Sequence, residues 1–216
     1  MTVVLEGFHA VKHALRFAPD LVREVTVASL PDALALADTL APDVRELLAG
    51  LAVQGRATHP TGVCGLAARP FEDRTVLTTR QAPLLLLDDP KHPGNAGAAI
   101  RVAAAAGASG VALLGDLDPW HPAVLRGSAG LHFALPVLTC VVGDLTGPLW
   151  ALDAEGEPLE AIPDDVVLAV GSERSGISDP VRRAADRVVS LPMRAGVSSL
   201  NLATAASAAL YVWRLG

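Results

Sequence analysis

The chain has 216 residues, 51% of them hydrophobic, and a formal net charge of −6 from 17 basic and 23 acidic side chains. That length holds one large domain or two small ones, and no apolar run approaches the roughly 18 residues of a membrane span. The negative balance argues against indiscriminate nucleic-acid binding, and the amino terminus, MTVVLEGFHAVKH, lacks the basic-then-apolar layout of a signal peptide. A soluble, cytoplasmic protein is expected.

Much of the charge is local. Asp153, Glu155, Glu157, Glu160, Asp164 and Asp165 form one acidic segment without Lys or Arg; setting these six of the 23 aside leaves 17 acidic residues against 17 basic ones. Only Lys12 and Lys91 are lysines, an Arg bias that suits phosphate recognition and also follows from a GC-rich genome. Cys64 and Cys140 lie in apolar contexts without a CxxC pairing and read as buried fillers rather than ligands or a disulfide. His9, His13 and His59 show no metal-ligand spacing, so no metal is expected.

Residues 1–70 read as a small α/β unit. A helix is predicted over 8–17 with Val11, Ala14 and Leu15 on one face. A strand over 24–28, helices over 31–40 and 44–51 and a last strand over 62–68 follow. The stretch RPFEDRTVLTTRQAP, 69–83, carries prolines at both ends and five charges, and reads as a linker. The second part opens with a buried strand over 84–87. Then comes DDPKHPGNAG, whose prolines, glycines and asparagine argue against regular structure. A helix over 98–106 ended by Gly107 and a strand over 111–114 complete a unit that implies parallel pairing. A helix over 120–130, a strand over 136–142 and the acidic segment as an exposed connection come next. Short strands over 166–170 and 187–191 and a long Ala-rich helix over 199–213 close the chain. Loops thus leave neighbouring strand ends, where an open α/β sheet places its ligand.

Three constellations carry chemistry. In the first, Asn95 and Gly97 lie in the loop after the 84–87 strand and Arg101 about one turn into the next helix, from which its guanidinium can reach back toward an anion at the helix start. Pro93-Gly94-Asn95 is equally readable as a plain turn. In the second, GSERSG places Glu173 between Gly171 and Gly176; it is neither a Rossmann fingerprint nor a P-loop, which disfavours NAD and ATP. In the third, Leu191, Met193 and Leu200 offer an apolar slot for an adenine ring. The serines of Ser198-Ser199 suit helix caps, and Asn201 can orient a hydroxyl or satisfy loop backbone.

Together, PGNAGAAIRVAAAAG, LAVGSERSG and LPMRAGVSSLNLATAASAALY resemble, in order and spacing, the three signature motifs of the SpoU (TrmH) family of SPOUT RNA methyltransferases, and RGSAG at 126–130 matches through Ser128 and Gly130. The resemblance spans roughly residues 84–213. The first 70 residues resemble more loosely a ribosomal-protein-like substrate-binding domain. What this implies is an α/β fold: a deep trefoil-knotted SPOUT domain with a parallel sheet over 76–216, preceded by an RNA substrate-binding domain over 1–75. It further implies S-adenosyl-L-methionine as cofactor, a homodimer, no membrane or metal partner, and methylation of a ribose 2′-hydroxyl in tRNA or rRNA. Carried over residue by residue, Asn95, Arg101, Glu173, Ser199 and Asn201 form the catalytic cluster, and Gly171, Leu191, Met193 and Leu200 line the cofactor. The alternative is a non-catalytic RNA-binding or ribosome-associated protein on the same scaffold.

Overall fold

The computed structural model describes residues 1–216 and divides into two compact units: Met1–Phe71 with Ala129–Ala134, and Glu72–Ser128 with Leu135–Gly216. In the first unit the chain runs β1 (Thr2–Glu6), α1 (Phe8–Phe17), β2 (Val22–Val27), α2 (Leu30–Leu40), α3 (Arg45–Leu51), β3 (Ala52–Gln54) and β4 (Val63–Ala68). Its sheet has the order β1-β4-β2-β3, with β4 antiparallel to both neighbours and β2 parallel to β3. Val11, Ala14 and Leu15 of α1 are buried, as the helical period predicts. The strands β1 and β3 went unread: TVVLE alternates over only five residues and AVQ is three long.

The second unit contains β5 (Leu84–Leu87), α4 (Pro93–Ala106), β6 (Gly110–Leu113), α5 (Pro122–Gly127), β7 (Val137–Thr139), β8 (Leu149–Pro158), β9 (Val167–Val170), α6 (Asp179–Ala184), β10 (Arg187–Ser190) and α7 (Leu202–Leu215). Six strands form one sheet in the order β10-β8-β9-β5-β6-β7, every pair parallel. Such a sheet must be covered on both faces. Leu85 and Leu87 point to a cluster completed by Ile100 of α4 and Leu202 and Leu210 of α7, while Leu84 and Leu86 point to one holding Leu77, Ile177 and Val181. Each of these fully buried leucines contributes roughly 1.5–3 kcal/mol through removal from water. Leu77 and its neighbour Val76 belong to a 3₁₀ turn, Arg74–Leu77, so the 69–83 stretch is not merely a linker.

Two differences from the sequence reading matter for the site. Helix α4 begins at Pro93, not at 98, because proline at the first helical position has no N–H to leave unsatisfied. Gly97 is therefore helical, and it is there for a close crossing. A Cβ at Gly97 would strike the Val124 carbonyl and Gly127 of α5. Strand β8 also went unread: part of the acidic segment is its second half, paired with β10 through a register shift. Cys64 and Cys140 are half-buried and unpaired, and burial pushes the Cys140 thiol up to about 11, so it stays neutral.

Candidate active site

The order β10-β8-β9-β5-β6-β7 reverses direction between β5 and β9: the chain continues from β5 to β6 and β7 on one side and returns through β8 and β9 on the other. Loops after β5 and β9 therefore part at their carboxyl ends, the crevice where open parallel sheets bind ligands. Two bonds staple the bases of these loops. The Asp88 N–H donates to the Val170 carbonyl (2.9 Å), and the buried Asp88 carboxylate accepts the Ser178 N–H (2.6 Å).

Above that base lies a directed network. Helix α7 starts at Leu202, three residues later than read, and its cap is Asn201 rather than a serine. Asn201 Oδ1 accepts the N–H groups of Ala203 (2.9 Å) and Thr204 (3.4 Å), two of the orphan donors of a helix start. With its oxygen so engaged, Asn201 turns Nδ2 to Asn95 and donates to Oδ1 at 3.1 Å. Asn95 Nδ2 then donates to Glu173 Oε1 at 2.7 Å, and the Lys91 N–H donates to Glu173 Oε2 at 3.1 Å. The helix cap thus fixes the orientation of both amides, and the end of the chain must be a pure acceptor. Glu173 meets that demand only when ionised. Burial by itself pushes the Glu173 carboxyl up, but the Asn95 and Lys91 donors outweigh it and hold it below the ordinary glutamate range.

Beside the network a cavity of about 260 Å³ opens at the carboxyl ends of β9 and β10, against the middle of β8. Gly171, Glu173, Leu191, Met193, Ser199 and Leu200 all line it, together with Leu152, Asp153 and Ala154 from β8. It sits at the small end of ligand pockets, roughly 300–1,000 Å³, and is open on one side. The Glu173 loop reaches the wall by folding on itself: Ser172 and Gly176 exchange backbone hydrogen bonds of 3.0 and 3.1 Å. That fold brings the Gly176 and Ile177 backbone against the α-carbon of Gly171, where a Cβ has no room.

The structure thus joins Asn95, Glu173 and Asn201 by hydrogen bonds and brings Gly171, Leu191, Met193, Ser199 and Leu200 to one cavity. Arg101 is not among them. Because α4 begins at Pro93, Arg101 is more than two turns into the helix and roughly 9 Å along its axis from Asn95. It is exposed and its guanidinium has no hydrogen-bond or ion-pair partner. The β8 wall is the part that sequence reasoning missed. Asp153 pairs there with Arg182 of α6, 29 residues away, and accepts the Glu155 N–H at 3.1 Å. A spacing of that kind leaves no local signal.

Residues 82–211 match the SpoU rRNA Methylase family, and the chain belongs to that family. Among characterised relatives, it is similar to the 23S rRNA (uridine(2479)-2'-O)-methyltransferase of Streptomyces viridochromogenes, with 31% identity over 91% of this chain and 70% of that protein. It is also 31% identical to the 23S rRNA (guanosine-2'-O-)-methyltransferase RlmB of Bordetella pertussis, over 97% and 96% of the two chains. Among solved structures, the SpoU methyltransferase AviRb from Streptomyces viridochromogenes in complex with AdoMet superposes with a TM-score of 0.78, at 26% identity, covering 98% of this chain and 88% of that one.

Proposed function

We propose that the protein is an S-adenosylmethionine-dependent RNA methyltransferase that modifies a ribose 2′-hydroxyl, with the cofactor in the cavity at the ends of β9 and β10, against the middle of β8. The observation that carries this reading is the hydrogen-bonded union of three sequence-distant segments, around Asn95, Glu173 and Asn201, at Glu173, which lines that cavity beside Ser199 and Leu200. The residues present fit the cofactor. Leu191, Met193 and Leu200 supply apolar surface for an adenine ring, and the carboxylates Asp153 and Glu173 suit a ligand bearing ammonium and sulfonium charges. No glycine-rich phosphate cradle competes with that reading.

When bound, S-adenosylmethionine supplies a methyl group already activated on a sulfonium. The protein's part is then mainly alignment, for which effective molarities of roughly 10⁵–10⁸ M are attainable. Ser199, on the cavity wall, orients the incoming ribose hydroxyl, while Asn95 and Asn201 hold Glu173 in place. A guanidinium is a poor general base and a good two-oxygen donor, so the role of Arg101 is to clamp the target phosphate. Its exposed position on α4, outside the hydrogen-bonded network, suits contact with RNA more than contact with the cofactor.

Finer features belong to the same reading. The 191–201 segment passes through an earlier loop as a trefoil knot, residues 1–75 form a ribosomal-protein-like domain that selects the RNA, and 76–216 form the methyltransferase domain. Two chains pair as a homodimer in the cytoplasm, and the exposed Tyr211 of α7 and Ala105 of α4 offer small and aromatic surface for that contact. Both relatives described above act on 23S rRNA, one at a uridine and one named for guanosine, which favours ribosomal RNA as the target class and leaves the base open. Calorimetric titration of the full chain with S-adenosylhomocysteine tests the cavity assignment. Saturable heat with one site per chain is expected; no heat and no thermal shift would remove the assignment.

A further inference from the structure

Three charged side chains border the cavity: Asp153, Glu173 and Arg174. The two carboxylates are already engaged, Asp153 by Arg182 and the Glu155 N–H, and Glu173 by Asn95 and the Lys91 N–H. Arg174 differs. It sits at the tip of the folded 172–176 loop, exposed, and its guanidinium makes no hydrogen bond or ion pair. Met193 also lines the wall, and the next residue, Arg194, is equally exposed and unpaired. Two other arginines of this unit are used internally: Arg80 donates to the Leu77, Thr146 and Asp165 carbonyls, and Arg187 pairs with Glu157 and lies over the Trp150 ring.

Two free guanidinium groups, one on the cavity lining and one adjoining a lining residue in sequence, can share an anion. We propose that Arg174 and Arg194 form a clamp for a phosphate of the target RNA strand at the cavity mouth, a proposal that rests on the cavity being the cofactor site. Two arguments favour RNA phosphate over the cofactor's carboxylate. Both arginines are exposed, whereas the lining residues Gly171, Leu191 and Met193 are half-buried. The chain also carries a net charge of −6, so long-range attraction does not gather RNA, and retention falls to local cations. Arginine suits that task, since its fork meets two phosphate oxygens at once.

The test uses the full chain, in vitro transcribed and therefore unmodified 23S rRNA, and S-adenosylhomocysteine, with the variants Arg174→Ala, Arg194→Ala and the double substitution. Arg214→Ala, in the last turn of α7 and roughly 20 Å along that helix from Asn201, controls for loss of charge alone. Each clamp substitution is expected to weaken RNA binding roughly three- to tenfold and to lower the salt slope of log K by about 0.7–0.9. S-adenosylhomocysteine affinity stays within twofold of wild type, and the methylated nucleotide stays the same. Unchanged RNA binding and salt slope in the double variant would overturn the clamp. A fall in S-adenosylhomocysteine affinity with RNA binding intact would also overturn it, assigning Arg174 to the cofactor's carboxylate instead. If the wild-type chain binds no S-adenosylhomocysteine at all, the cavity assignment itself has failed, which is a separate result.

Discussion

Glu173→Gln is expected to lower kcat/KM on the order of tenfold to a hundredfold while leaving the fold intact. The substitution is nearly isosteric, so its effect lies in hydrogen-bond direction. Asn201 Oδ1 is committed to two backbone N–H groups, which commits Asn95 to present Nδ2 to residue 173. The Lys91 N–H arrives from the other side. A carboxylate accepts both. A glutamine has one carbonyl oxygen, and its NH₂ must face one of the two donors. An unmet donor costs roughly 1–3 kcal/mol when buried, and water at this half-buried position relieves part of that, which sets the lower end of the range. Asn95→Ala, which removes the middle of the relay, should be at least as damaging. The pH dependence follows with its sign. Glu173 is held below the ordinary glutamate range in the folded chain, so the network is fully formed above that range and is lost only as pH falls through the lower folded-state value. Steady-state rates measured at descending pH should therefore show no acid limb from Glu173 down to the ordinary glutamate range; a limb near neutrality that disappears in the glutamine variant would contradict this account.

Gly171→Ala is expected to raise the dissociation constant for S-adenosylhomocysteine by on the order of a hundredfold. The added Cβ meets the Gly176 carbonyl carbon and the Ile177 nitrogen, which are backbone atoms and cannot swing aside. The only relief is to open the 172–176 fold, which breaks the paired Ser172–Gly176 hydrogen bonds and moves the wall carrying Glu173. Overpacking of this kind costs roughly 1–3 kcal/mol, and here it falls on the ligand-bearing loop rather than on the core beneath. Gly94→Ala is the matched control, because a Cβ there meets nothing within 4 Å. Calorimetry on both variants, with circular dichroism to show retained structure, separates the two effects. Equal affinities for Gly171→Ala and wild type would show that the loop does not bound the binding site.

How much of this was legible in the sequence depends on how local each signal is. Val167–Val170 and Leu84–Leu87 are short apolar runs between polar turns, and period alone marks them as buried strands. The three motif segments are each contiguous, so the catalytic and cofactor candidates could be named from spacing and resemblance. What joins them could not. Asn95 and Glu173 are 78 residues apart and Asn201 and Asn95 are 106 apart, so their hydrogen bonds exist only once the sheet order is set. The reading also treated Pro93 as a breaker, although a proline with no helix before it starts a helix as readily as it ends one. That displaced the start of α4 and put Arg101 nearer the network than it is. Strand β8 was hidden because LWALDAEGEP passes from apolar to acidic midway. Its first half is buried in the sheet, and its middle forms a pocket wall that composition reports only as surface charge.

The central claim is that the cavity beside Asn95, Glu173 and Asn201 delivers a methyl group to a ribose oxygen of RNA. The most direct measurement is incubation of unmodified total RNA with the full chain and methyl-labelled S-adenosylmethionine, followed by nucleoside analysis and mapping of the labelled site. The account predicts label in a single 2′-O-methylated nucleoside at one position, at least tenfold less of it with Glu173→Gln, and none without the chain. Label on a base, or no transfer from a chain that binds the cofactor, would contradict it.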